Sequence, residues 1–197
     1  MGNTQWYLFD YGMVISNAPT PEDWLNLEDA AGVALMDPGS PYWRHRLDFD
    51  AGRTTSVDYW SRVTGREVTP NQTNLLDTLD ANQWSHFNLE TIDVLEELSS
   101  QGARLALLSN MPAPMVARFE EASWTGYFSK MYFSSTLQLV KPQREIFEHV
   151  LRDLGVEPGK VTFVDDAPVN IASALELGID ARLHQPGIDL QLELVGP

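Results

Sequence analysis

Four segments of the chain set a polar side chain directly after a short apolar run. LFDYGMVI carries Asp10, LLSN carries Ser109 and Asn110, LQLVKP carries Lys141, and VTFVDDAPVN carries Asp165, Asp166 and Asn170. A carboxylate such as Asp10 can act as a covalent nucleophile, as in aspartyl-phosphate chemistry. Adjacent carboxylates repel, so Asp165 and Asp166 persist side by side only with a cation or hydrogen-bond donors. Magnesium would suit them, since it takes a few hard oxygen ligands and leaves room for water and phosphate. Lys141 can neutralise a phosphoryl group and hold the nucleophile. Ser109 and Asn110 offer a hydroxyl, an amide and backbone N–H groups to phosphate oxygens, and Asn170 can orient a carboxylate. Read singly, each has a plain structural alternative: a turn or helix cap for Asp10, Ser109 and the acidic pair, and an exposed helix face for Lys141 and Asn170.

These residues act together only if the fold collects them. Short apolar runs at Gln5–Phe9, Arg104–Leu108, Lys130–Phe133, Val161–Val164 and Asp180–Leu183 predict strands. Helical segments at Leu89–Ser100, Pro112–Ala122, Gln143–Leu154 and Ala167–Leu177 alternate with them, several closed by glycine. That alternation predicts an α/β fold, a doubly wound parallel sheet, in which ligands bind beyond the carboxyl ends of the strands. Asp10, Ser109, Asn110 and the Asp165–Asp166 pair all stand at such ends, with Lys141 on the loop after the third strand. Between the first strand and Leu89 lies a different segment, with helical pieces at Pro21–Ala31, Ser40–Ala51, Ser56–Gly65 and from Thr69 to Leu79. It holds Trp24, Trp43, Trp60 and Trp84, four of the six tryptophans.

Composition narrows the field. A chain of 197 residues suits one domain with a modest insertion. The absence of cysteine excludes disulfides, thiolate metal sites and cysteine nucleophiles. A net charge of −15 and a pI near 4.4 disfavour nucleic acid as a partner. Locally, Tyr42–Arg66 reverses the trend, with five arginines against three acids. No apolar run reaches the roughly 18 residues of a membrane span. The first residues show no basic and apolar leader pattern, so no membrane contact and a cytoplasmic location are expected.

Taken together and in this order, the four segments resemble the motifs of the haloacid dehalogenase superfamily of magnesium-dependent aspartyl phosphatases and related hydrolases. The resemblance covers the whole chain and implies a Rossmann-like core over residues 1–15 and 88–197, with a small α-helical cap inserted after the first strand at 16–87. Within that cap, YWRHRLDFDAGRTTSVDYW is similar to the subclass's cap pattern. The implied roles are Asp10 as nucleophile, with Lys141 assisting it. Ser109, Asn110 and Lys141 would bind phosphate. Magnesium would be held by Asp10, the Gly12 carbonyl, Asp166 and Asp165, and Asn170 would lie behind them. Tyr42, Trp43, Arg46, Tyr59 and Trp60 would line a substrate pocket, unless those aromatics form the core of the cap. A small phosphate ester, a sugar phosphate above all, is the implied substrate, and a monomer or homodimer the implied assembly.

One position departs from the pattern. Most phosphatases of this superfamily carry a second aspartate two residues after the nucleophile, as general acid and base, and here Gly12 stands there. An Asp-x-Gly subgroup, which includes α-D-glucose-1-phosphate phosphatases, shares the substitution. The group that protonates the leaving alcohol is thereby left unassigned, and His45 in the cap reads as a surface residue. Two other readings use similar residues. A 2-haloacid dehalogenase shares the nucleophile but needs no metal, and a catalytically weak binding protein would account for Gly12. A phosphoacceptor receiver domain is excluded, because its acidic pair precedes its Lys-Pro and it has no place for a cap.

Overall fold

A computed structural model describes residues 5–119 and 122–196. Its centre is a five-stranded parallel sheet of β1 (Trp6–Phe9), β2 (Arg104–Ser109), β3 (Lys130–Phe133), β4 (Val161–Asp165) and β5 (Asp180–Leu183), in the order β3-β2-β1-β4-β5. The chain winds outward from β1 through β2 to β3, then crosses back to β4. The direction of winding therefore reverses between β1 and β4. Such a reversal opens a crevice at the carboxyl edge of an open sheet. Register is in phase across it, Phe9 pairing with Leu107 on one side and Val164 on the other.

Alternation along the strands builds two cores. Trp6 and Leu8 point to one face with Ala106, Leu108, Val161 and Phe163, while Phe9, Leu105, Leu107 and Val164 point to the other. The first face is covered by α8 (Arg144–Leu154) and α9 (Pro168–Glu176), through Ile146, Phe147, Val150, Ile171 and Ala174. The opposite face is covered by α5 (Leu89–Ser100) and α6 (Ala113–Phe119), with α10 (Leu190–Leu194) behind them. α6 is described to Phe119, and the part of the expected Pro112–Ala122 helix at residues 120 and 121 lies outside the described residues. A single turn, α7 (Ser134–Leu137), follows β3; its SSTL sequence gave no helical pattern to read.

Four helices form a separate layer with its own apolar centre: α1 (Pro21–Ala31), α2 (Pro41–Asp50), α3 (Ser56–Thr64) and α4 (Pro70–Gln83). Thr20 and Thr69 open α1 and α4 with reciprocal capping boxes to Asp23 and Gln72, each with proline at the first turn. The chain leaves and rejoins the sheet at a small antiparallel bridge between Ser16 and Phe87. α4 runs past the expected Leu79 to Gln83. Its last turn carries polar residues, so no apolar period marks it, yet Asp80 and Gln83 are buried. Their partners lie on another helix, described below.

Candidate active site

Asp10 directly follows β1, and its N–H donates to the Val164 carbonyl at 2.9 Å, so the ladder with β4 fixes its backbone. Its Oδ1 accepts from the Tyr11 N–H at 2.7 Å and from Lys141 Nζ at 2.7 Å. The same ammonium lies 2.6 Å from Asp165 Oδ2. Lys141 is 2% exposed and Asp165 not at all, so the ion pairs are shielded from water. The Lys141–Pro142 peptide is cis. The amide of Asn110 clamps that loop from both sides, its Nδ2 donating to the Lys141 carbonyl and its Oδ1 accepting from the Lys141 N–H, both at 2.9 Å. Both ends of the Asn110 side chain are thus engaged in placing Lys141, a different use from the expected contact with phosphate.

The two adjacent aspartates have separate environments. Asp165 Oδ1 accepts from the Ala167 N–H at 2.8 Å and from Asn170 Nδ2 at 2.9 Å, while Oδ2 takes Lys141 and a second Asn170 contact at 3.1 Å. Every oxygen of Asp165 is therefore satisfied within the protein. Asp166 is half-buried and lines a groove of about 680 Å³ with Met13, Phe87 and His184.

Asp10, Asp165 and Asp166 offer carboxylate oxygens within 4.8 Å of one another, with the single cation Lys141 among them. Burial pushes the Asp10 carboxyl up to about 7; Lys141 pulls the other way, and Asp165 and Asp166 add to the rise. Asp166 is raised too, by burial and by Asp165. For Lys141 burial acts downward, but the two facing carboxylates hold it above its ordinary value. Three carboxylates against one ammonium leave an excess of buried negative charge. A hard divalent cation would neutralise it, so these oxygen donors fit magnesium.

Beside this cluster a cavity of about 150 Å³ separates the sheet edge from the helical layer. The sheet side contributes Gly12, Ser109, Asn110 and Met111, and α2 contributes Trp43, Arg46 and Asp50. Those three are spaced i, i+3 and i+7, one face of a helix. The turn at Gly12 takes its left-handed residue one place later, at Met13 with φ 59°, so glycine at 12 is not needed for backbone shape. A Cβ at Gly12 would meet the Trp84 ring at an ordinary 3.8 Å.

The expected pocket residues divide. Trp43 and Arg46 reach the cavity, whereas Tyr42, Tyr59 and Trp60 are fully buried in the core of the helical layer. Tyr59 stacks on Phe49 at 4.1 Å and Trp60 Nε1 donates to Asp77 at 2.7 Å, so these rings hold helices together. Sequence reasoning missed three polar residues here. Asp80 accepts from the Tyr42 hydroxyl at 2.7 Å, from Arg46 Nη1 at 3.0 Å and from Gln83 Nε2 at 2.9 Å, and Asp50 accepts from Arg46 Nε at 2.7 Å. The i, i+4 spacing of Arg46 and Asp50 was the one signal available for Asp50; Asp80 and Gln83 had none.

The curated relatives include the D-ribitol-5-phosphate phosphatase of Bacteroides thetaiotaomicron, 38% identical over 34% of this chain and 33% of its own length. The sesquiterpene phosphatase astK of Aspergillus oryzae is 31% identical over 44% of each chain. The match thus spans less than half the length of these curated relatives. Whole-fold similarity extends to a HAD family enzyme of Bacteroides thetaiotaomicron in complex with magnesium and inorganic phosphate. It has a TM-score of 0.78 and 21% identity over 96% of this chain and 98% of that one. A predicted HAD-like family hydrolase of Porphyromonas gingivalis gives a TM-score of 0.75 at 25% identity, over 98% and 97%. A family model for haloacid dehalogenase-like hydrolases matches residues 26–178, so the chain belongs to that family.

Proposed function

We propose that the chain is a magnesium-dependent phosphatase that hydrolyses a small phosphomonoester, a sugar phosphate above all, through an aspartyl phosphate on Asp10. The observation that carries this reading is the buried Asp10–Lys141–Asp165 arrangement, 2.7 and 2.6 Å, beside the Ser109 cavity. Asp10 Oδ1 is taken by two donors, while no donor among the described residues reaches Oδ2. That leaves one oxygen with a lone pair for phosphorus. Lys141 and the Ser109 hydroxyl supply positive charge and a hydrogen bond to phosphoryl oxygens as charge develops on them. Asn110 and Asn170 are positioning residues, one for the Lys141 loop and one for Asp165.

Asp10 and Asp166, with the Gly12 carbonyl, would hold magnesium; Asp165, whose oxygens already have partners, would stand behind them. The ion, when bound, supplies the charge that lets an ionised Asp10 meet an anionic phosphate. The layer formed by residues 16–87 acts as a cap in this reading. Trp43 and Arg46 face the substrate, an aromatic plane and a cation suited to a polyol phosphate. The curated phosphatases of similar sequence, one named for D-ribitol 5-phosphate, support the ester class.

Phosphate release from a panel of sugar phosphates and p-nitrophenyl phosphate, with magnesium and then with chelator, tests the proposal. Turnover is expected with magnesium, is lost with chelator, and is lost in Asp10→Asn. Turnover that survives in Asp10→Asn would refute the nucleophile. Chloride release from 2-chloropropionate without metal would favour the dehalogenase reading instead.

A further inference from the structure

The phosphatase reading leaves the departing alcohol without a proton donor, because position 12 has no carboxyl. The cavity itself narrows the candidates. It is lined from both sides, by Gly12 and Ser109 at the sheet edge and by Arg46 and Asp50 of α2. Three of its lining residues carry titratable side chains: Arg46, Tyr11 and Asp50. Arginine keeps its proton at every relevant pH. The Tyr11 hydroxyl donates to the Trp84 carbonyl at 2.7 Å, and burial raises it far above its ordinary range. Asp50 remains.

Its surroundings suit the task. Arg46 is shared between two carboxylates, and the sharing is unequal. Asp80 accepts from Arg46, Tyr42 and Gln83, and it lies away from the cavity. Asp50 accepts from Arg46 Nε alone, leaving Oδ2 without a donor among the described residues. Two carboxylates beside one guanidinium carry an excess negative charge in a buried place, and a proton on Asp50 relieves it. Burial pushes Asp50 up to about 6, with Arg46 pulling down and Asp80 adding to the rise. An acid in that range is matched to proton transfer near neutrality. The Tyr42 and Tyr59 hydroxyls, the other titratable groups packed around Arg46, stay protonated because burial raises both.

The residue is also held in place against the sheet. Ser134 Oγ, fully buried, donates to the Asp50 carbonyl and accepts from the Met111 N–H at 2.9 Å. That bridge ties the end of α2 to the residues after β2 and β3. Gly52, two residues on, lies so close to the Ser135 carbonyl that a Cβ would stand 2.6 Å from it. The segment carrying Asp50 is therefore seated on the active-site edge.

We propose that Asp50 is the general acid and base of this site, supplying from the helical layer the carboxyl absent at position 12. The assignment rests on the phosphatase reading above. As Asp10 bonds to phosphorus, the ester P–O bond breaks and the departing alkoxide takes the Asp50 proton, leaving as alcohol. The Asp50 carboxylate then takes a proton from water as the water oxygen attacks the aspartyl phosphate. The P–O bond to Asp10 breaks, inorganic phosphate departs, and both carboxyl groups return to their starting states.

Asp50→Asn tests this, because it keeps an acceptor for Arg46 Nε and removes the proton. The substrates are p-nitrophenyl phosphate, whose phenolate leaves unprotonated, and the best sugar phosphate of the panel, whose alkoxide does not. Rapid mixing of the variant with the aryl ester is expected to give a burst of about one nitrophenolate per site, then slow turnover. With the sugar phosphate no burst is expected, and turnover falls by about 100- to 1000-fold. The burst also shows that the variant is folded and that Asp10 works. Turnover of both esters within threefold of wild type would overturn the assignment, as would loss of both without an aryl burst. If wild type turns over neither ester, or Asp10→Asn turns over both, the phosphatase reading fails and this assignment with it.

Discussion

Lys141→Met removes one buried ammonium while keeping an unbranched chain of similar length, and it leaves Asp10 and Asp165 facing each other without a cation. In the wild-type protein the ammonium lies 2.7 Å from one carboxylate and 2.6 Å from the other, in a place where the lysine is 2% exposed. Removing one partner of a buried ion pair costs about 3–5 kcal/mol. Against a total stability of about 5–15 kcal/mol the variant stays folded under mild conditions. At about 2–4 °C per kcal/mol for a chain of this size, the midpoint of thermal unfolding falls by about 6–20 °C at pH 8.

The pH dependence separates electrostatics from packing. Asp10 in the wild type is already raised to about 7, so its protonated form stabilises the fold fully below the unfolded value of 3.8. That contribution is lost as pH rises through 7. In the variant Asp10 loses the cation that holds its carboxyl down and shifts further up, so the folded state keeps a proton that wild type gives up as pH passes 7. Each extra proton adds a slope of about 1.4 kcal/mol per pH unit. The gap between wild type and variant is therefore expected to grow by about 1.4 kcal/mol between pH 5.5 and 8, nearly all of it above pH 7. Urea unfolding at the two pH values measures it. A gap of equal size at both would show that the loss is one of packing, and would refute the paired-charge account. Addition of Asp165→Asn should restore much of the loss at pH 8.

Two further outcomes follow from the same geometry. Magnesium at 100 times its dissociation constant should add about 2.7 kcal/mol to wild-type stability in a thermal-shift assay, and Asp10→Asn/Asp166→Asn should abolish the gain. Trp43→Ala, facing the cavity, should raise KM for a sugar phosphate and destabilise less than Trp60→Ala, which should cost about 3–5 kcal/mol in denaturant unfolding.

Helical and strand periods, glycine stops and capping threonines lie in adjacent residues, so the alternation of elements and the parallel sheet were legible in the chain. So were Asp10, Ser109, Lys141 and the acidic pair, because each directly follows an apolar run that becomes a strand or strand-end loop. The helical layer was legible as elements but not as chemistry. Tyr42 and Trp43 are neighbours in sequence, yet one is a core ring and the other lines the cavity. A helix turns about 100° per residue, so adjacent positions face different surroundings.

The sequence by itself determined the order of strands and helices and the residue types at the strand ends, since short-range sterics and hydrophobic period act along the chain. Only the tertiary structure decided that Asn110 grips the Lys141 loop, that Asp165 spends its oxygens inside the protein, and that Asp50 reaches the cavity while Asp80 does not. Such pairings join residues 34 positions apart, Arg46 and Asp80, and 84 apart, Asp50 and Ser134. Buried polar groups must find partners wherever folding brings them, and no local pattern records which partner that will be.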